Sequence, residues 1–166
     1  MDNTLDKTGH GIEHKRADKA VEFRFAKPQD IPLILRFIRE LADYEGMLDQ
    51  VVATEELLNQ WLFEKEKAEV ILGMKDGGTV GFALFFHNFS TFLGRAGIYL
   101  EDLYVRPEYR GQGMGKKLFK MALSCLDINC IRDRKLCVTY GNEAALRLYE
   151  SFGFYPFTID CLQKRS

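Results

Sequence analysis

The sequence predicts a mixed α/β fold, one domain around one core, and three observations predict it. Segments with the two-residue period of strands alternate with segments of helical period. The chain has 166 residues, 46% hydrophobic and 28% charged, enough for one sizeable core and ordinary for a globular chain. No internal repeat, low-complexity tract or interdomain linker divides it. The first twenty residues, MDNTLDKTGHGIEHKRADKA, are polar and charged and read as a flexible arm, leaving 21–166 as the single domain.

VEFRFAK, from Val21 to Lys27, alternates apolar and polar residues as a strand does. PQDIPLILRFIRELADYE follows, with Leu33, Ile34, Phe37, Ile38 and Leu41 at helical spacing, Asp30 as the expected N-cap and Pro32 in the first turn. A second helix is expected from Thr54 to about Phe63, capped by Thr54, with Glu55 and Glu56 at its positive end. AEVILGMK and TVGFALFFH are two strands joined through the turn Asp76-Gly77-Gly78. NFSTFLGRAG is a loop or hairpin, and IYLEDLYV, Ile98 to Val105, another strand. A glycine loop opens a helix over KKLFKMALSCLDI, with Leu118, Met121, Ala122 and Cys125 as one stripe. KLCVTY reads as a strand, and NEAALRLYESFGF as a helix stopped by Gly153. The tail FYPFTIDCLQKRS supplies a candidate last strand.

A net charge of -1 argues against a general nucleic-acid binder. No apolar run approaches the roughly 18 residues that span a bilayer. The arm lacks the apolar centre of a secretory signal, so a cytoplasmic protein is expected. Cys125, Cys130, Cys137 and Cys161 form no C-x-x-C pair and read as buried free thiols. His10 and His14 lie four apart but lack a third ligand, so no metal is expected.

YVRPEYRGQGMGKKLF places Gly111, Gly113 and Gly115 between a strand and a helix. Bare backbone at a helix start is suited to phosphate. A P-loop fails, because Arg110 stands at its first glycine and Lys117 at its last position. A dinucleotide fingerprint starting at Gly111 fails at Lys116. The pattern [Q/R]-x-x-G-x-[G/A] is matched by Arg110, Gly113 and Gly115. With NEAALRLYESFGF in the expected order and separation, the stretch from Val21 to Phe157 resembles the GNAT family of N-acetyltransferases.

The resemblance implies the GNAT fold, a central mixed, mostly antiparallel twisted sheet flanked by helices. It implies acetyl-CoA as co-substrate and direct attack by an amine in a ternary complex. Leu103, Tyr104 and Val105 would offer backbone to the acetyl group and pantetheine arm where neighbouring strands splay. Arg110, Gly111, Gln112, Gly113, Met114, Gly115 and Lys116 would hold the pyrophosphate, and Asn142 would touch the cofactor arm. Tyr149 is the candidate general acid, since a phenol with a reference pKa of about 10 carries its proton at neutral pH; its alternative is aromatic packing beside Leu146 on an amphipathic helix. Glu101 is the candidate that takes the ammonium proton through water or simply attracts the cation. Asp102 would face the other way on an ideal strand.

Within the family the chain looks most like the diamine, or spermidine/spermine, N-acetyltransferases. RELADYEGMLDQV and FSTFLGRAGIYLEDLYVRPEYRG carry that likeness. Tyr44 and Glu45 fall where such enzymes bind polyamine, with Glu101 as a further substrate contact. Asp43 and Asp102 are additional acids, and Phe89 and Phe92 additional aromatics, for a cation on a methylene chain. CVTYGN departs from the group, with Tyr140 and Gly141 where an acid is frequent. Only twelve residues follow FGF, so the last strand is shortened or supplied by a partner chain. A homodimer is implied, to which the apolar run FALFF, equally readable as core, lends weak support. Two further readings stay open: the same chemistry on thialysine, a protein lysine or N-terminus, or an antibiotic amine; and a non-catalytic acyl-CoA-binding module.

Overall fold

Four antiparallel strands pair in sequence order, β1 (Glu22–Phe25), β2 (Glu69–Lys75), β3 (Gly78–Ser90) and β4 (Arg95–Val105), and β5 (Arg134–Leu136) joins β4 in parallel. The computed structural model describes residues 21–124, 134–139 and 141–156. Helix α1 (Ile31–Tyr44) and the segment from α2 (Glu55–Leu58) onward cover one face, where Ile34, Phe37 and Leu62 meet Val70, Leu72, Phe82 and Tyr104. Helices α3 (Met114–Ser124) and α4 (Glu143–Glu150) cover the other, where Leu118, Phe119 and Tyr149 meet Ile71, Val80, Phe85 and Leu100. This is the mixed, mostly antiparallel sheet between helices that the sequence implies.

Local chemistry accounts for most boundaries. Asp76 and Gly77 have φ of 54° and 80°, so a two-residue turn with both centres left-handed joins the pair Lys75–Gly78. Thr54 caps α2, its hydroxyl accepting from the Leu57 N–H at 3.3 Å. Gly153, at φ 83°, ends α4.

Four expectations change and one open reading is decided. Asp30 precedes α1 but its carboxylate does not cap that helix; it accepts from Arg24 at 2.7 and 2.8 Å and from the Lys27 N–H at 2.8 Å. A single 3₁₀ turn, Pro28–Asp30, runs straight into α1, so the carboxylate serves that turn and the neighbouring strand. The second helix widens after Leu58 into a π-helix, Asn59–Glu64, which buries Leu62 and leaves Trp61 outside under the Lys65 ammonium. The hairpin between β3 and β4 is tighter than read, with pairing out to Ser90–Arg95. β5 is three residues long and ends at Leu136, and Cys137–Thr139 leave the sheet. FALFF is core, with Phe82, Ala83 and Phe85 at most 1% exposed. The expectations for the arm, for Cys125, Cys130, Tyr140 and Cys161, and for the last strand lie outside the described residues.

Two irregularities in β3 and β4 set the course of the second half of β4. Leu84 pairs with Asp102 and Phe85 with Leu100, so Glu101 is an extra residue, a β-bulge. Ile98 and Leu100 before it, and Leu103 and Val105 after it, therefore pack into the same cluster against α3 and α4. Downstream, a Cβ at Gly81 would collide with the Tyr104 carbonyl and lie 3.1 Å from the Val105 Cα. We expect Gly81→Ala to push the end of β4 outward, costing about 1–3 kcal/mol in a denaturant melt and lowering turnover with it. An unchanged melt would mean that β3 shifts freely.

Candidate active site

β4 outlasts its partner. Only Ile98–Leu100 pair with Arg134–Leu136; beyond them β4 runs on from Glu101 to Val105 beside a gap. The gap opens into a cavity of about 750 Å³, bounded by the end of α1, the second half of β4, the glycine loop, residues 137–139 and α4.

The glycine loop forms one wall. Gly111 and Gly113 have φ of 73° and 74°, a region that L side chains rarely adopt. The N–H groups of residues 111–116 have no backbone acceptor among the described residues, and the first bond of α3 runs from the Lys117 N–H to the Gly113 carbonyl at 3.0 Å. Unpaired donors at the positive end of an eleven-residue helix suit an anion. Gly111, Gly113, Met114, Gly115 and Lys116 all line the cavity. Gln112 does not: its side chain turns away, donating to the Glu108 carbonyl at 3.1 Å and accepting from Lys75 at 2.7 Å, so it offers backbone alone. Arg110 lines the cavity, yet its Nε donates to the Val105 carbonyl at 2.7 Å and its guanidinium lies 4.4 Å from the Tyr44 ring centroid. Its charge is thus directed at the end of α1 rather than at the loop's N–H groups.

Leu103, Tyr104 and Val105 face the gap as backbone, since their side chains belong to the two cores. Asn142 caps α4, its amide oxygen accepting from the Ala145 N–H at 3.2 Å. Among the described residues its NH₂ group has no acceptor, and it lines the cavity.

Carboxylates gather opposite the loop. Glu101, exposed at the bulge, and Asp102, half-buried, line the same cavity, because the bulge breaks the alternation that an ideal strand would impose. Asp102 is pushed up to about 7, first by burial and then by the negative charges of Glu101 and Glu45. Glu45 closes the ring, accepting from the Thr139 hydroxyl at 2.7 Å, and Tyr44 stands beside it, 53% exposed. Asp43 is exposed and does not line the cavity. Phe89 and Phe92 do not either: they occupy the tip of the β3–β4 hairpin, Phe92 fully exposed, so sequence proximity misplaced them.

The place of Tyr149 fits both readings open to it. Its ring packs edge-on against Phe119 at 5.1 Å, and it also lines the cavity. Burial first, then Asp102 and Glu45, push its phenol up to about 12.

Leu41, Met47, Cys137 and Thr139 line the cavity without having been singled out for it. Cys137, expected buried, is exposed and accepts from the Tyr99 hydroxyl at 2.7 Å. The short reach of β5 is what brings Cys137 and Thr139 to the gap, and no local pattern announces it. Among the described residues no group of three or more His, Cys, Asp or Glu is placed to hold a metal ion, and no helix is long and apolar enough to cross a membrane.

Residues 35–154 match the model of the acetyltransferase (GNAT) family. The chain is 43% identical over 148 residues to thialysine N-epsilon-acetyltransferase of Bos taurus, covering 83% of this chain and 86% of that protein. It is 36% identical over 144 residues to spermidine/spermine N(1)-acetyltransferase-like protein 1 of Homo sapiens, covering 80% of this chain and 20% of that longer protein. The fold is shared with a crystal structure of an aminoglycoside acetyltransferase from an uncultured soil metagenomic sample, with a TM-score of 0.74, 17% identity, and coverage of 88% of this chain and 97% of that one.

Proposed function

Because this chain belongs to the GNAT family of acetyltransferases, we propose that it moves the acetyl group of acetyl-CoA to a primary amine of a polyamine, diamine or similar small cation. The observation that carries the reading is one cavity with unpaired N–H donors on one wall and three carboxylates on the other. The donors at 111–116 would take the pyrophosphate, and Lys116 would add charge beside them. The NH₂ of Asn142 would meet the pantetheine arm. Backbone of β4 beside the gap would donate to the thioester oxygen as negative charge builds there.

On the other wall, Glu45 and Glu101 would draw an ammonium into the ring of acids. A primary ammonium, with a pKa of about 10.4, must lose a proton before its nitrogen can attack. Asp102 is matched to that task by its raised pKa, and Glu101 keeps the cation-attracting role left open for it. Tyr149 would give a proton to the departing thiolate and regain one from the acylated nitrogen. The balance is one amide, one thiol and one proton released to solvent.

Thialysine is the second reading, favoured by the 43% identity to a thialysine enzyme. The homodimer is proposed on the family resemblance alone, since FALFF lies in the core; the cytoplasmic location, the arm before residue 21 and the single domain of 21–166 stay proposals read from the sequence. The test is thiol release from acetyl-CoA with spermidine, spermine, diaminopropane, thialysine and lysine. Saturable turnover with a polyamine or diamine is expected. Turnover with thialysine alone would transfer the substrate to the second reading, and acetyl-CoA binding without turnover on any amine would leave a binding module.

A further inference from the structure

Two residues outside the cavity tie its walls together. α1 presents Glu40 and, one turn later, Tyr44. The segment after β4 presents Arg106 and, four residues later, Arg110. Arg106 donates to Glu40 through a fork, Nε to Oε2 at 3.2 Å and Nη2 to Oε1 at 3.1 Å, which fixes direction as well as distance. The Arg106 guanidinium also lies 4.9 Å from the Phe37 ring centroid. Arg110 lies 4.4 Å from Tyr44 and 5.4 Å from Tyr104. The pairs Glu40–Arg106 and Tyr44–Arg110 are thus consecutive rungs between the same two segments.

Besides these rungs, Leu41 packs against the core and Glu45 accepts from the Thr139 hydroxyl at the end of α1. Asp43 and Tyr44 are exposed, and Gly46, at φ 71°, ends the helix. Glu40 and Arg106 are only about a quarter to a third exposed (30% and 26%), so solvent screens their pairing only in part.

We propose that Glu40 and Arg106 are positioning residues for the amine side of the site: their forked pair clamps the end of α1 to the segment that enters the glycine loop, and so sets where Tyr44 and Glu45 stand relative to the cofactor subsite. The proposal rests on the acetyltransferase reading. Arg106 and Arg110 lie on the stretch leading directly into Gly111, so a ligand that orders the loop orders the end of α1 with it. Linkage of this kind is reciprocal between the two ligands.

The test uses Glu40→Gln and Arg106→Lys, each of which keeps length and loses the charged fork. Spermidine binding to CoA-loaded protein is measured by calorimetry, beside CoA binding alone, amine KM, kcat and the melting temperature. We expect spermidine Kd and amine KM to rise about 5- to 10-fold, with kcat and CoA Kd within about twofold of wild type. Combined with Tyr44→Leu, Glu40→Gln is expected to act less than multiplicatively, since both break one brace. A lowered melting temperature with unchanged spermidine Kd would make the pair merely structural and overturn the proposal. Equal weakening of CoA and spermidine would overturn it too, by assigning the clamp to the cofactor wall, and so would the absence of spermidine binding to wild type. Because the readout is binding, a wild type that binds spermidine without acetylating it would sink the proposed reaction and leave the positioning role supported.

Discussion

Tyr149→Phe will lower kcat about 100- to 1,000-fold, the range expected when a positioned proton donor is removed. The substitution keeps the ring that packs on Phe119 and Phe154, so the fold should stay intact. The melting temperature should move by no more than about 4 °C, corresponding to roughly 1 kcal/mol in a chain of this size. KM for acetyl-CoA should hardly change, because the phenol acts on the leaving group rather than on the bound cofactor. The phenol's pKa of about 12 keeps it protonated throughout the working range, so no limb of the pH profile belongs to it. So weak an acid gives up its proton only as charge builds on the sulfur beside it, and it must recover one from the new amide nitrogen. If kcat survives the substitution, Tyr149 is a packing residue and the thiolate leaves unaided.

The second large effect is at Asp102. kcat/KM for the amine should climb with pH and level off above an apparent pKa of about 7, since only the carboxylate can accept a proton. That value belongs to the set formed with Glu101 and Glu45 rather than to one side chain. The amine's own ionisation adds a second rise at about pH 10. Asp102→Asn should abolish the first limb and lower kcat/KM about 100-fold at pH 8.

Stability should move the opposite way. The folded chain holds the Asp102 proton more tightly than the unfolded chain, whose carboxyl titrates at about 4. Folding therefore loses stability as pH rises from about 4 to about 7. Asp102→Asn should raise the melting temperature at about pH 8 and leave it nearly unchanged at about pH 3, below both pKa values. A variant that keeps the limb and melts like wild type would remove Asp102 from the chemistry.

How far the sequence reaches depends on how local each feature is. The Asp76-Gly77 turn, the Thr54 cap and the glycine loop are encoded within a few residues, and each is where the sequence puts it. Among the described residues, five strands and four helices follow from periodicity, apart from the π-helix at Asn59–Glu64 and the early end of β5. Features made by pairing are not legible. Glu101 becomes a bulge only because Leu84 and Phe85 skip it. Cys137 and Thr139 reach the cavity only because β5 stops, and Gln112 turns outward because Lys75 and the Glu108 carbonyl are there to meet it. Arg106 gives no sign in sequence of its partner Glu40, 66 positions away.

The bulge makes the length of β4 part of its message. Along a strand the alternation of faces works like a reading frame, and Glu101 is a one-residue insertion in it. Deleting that residue would leave the frame downstream intact, with Leu103 and Val105 still toward α3 and α4 and Tyr104 toward α1, whereas a regular strand that kept Glu101 would turn them over. No single substitution does the same, because the frame is set by the count and not by any letter. Variants that replace Glu101 should therefore lose function by degrees, and its deletion should straighten β4 while both cores keep their residues.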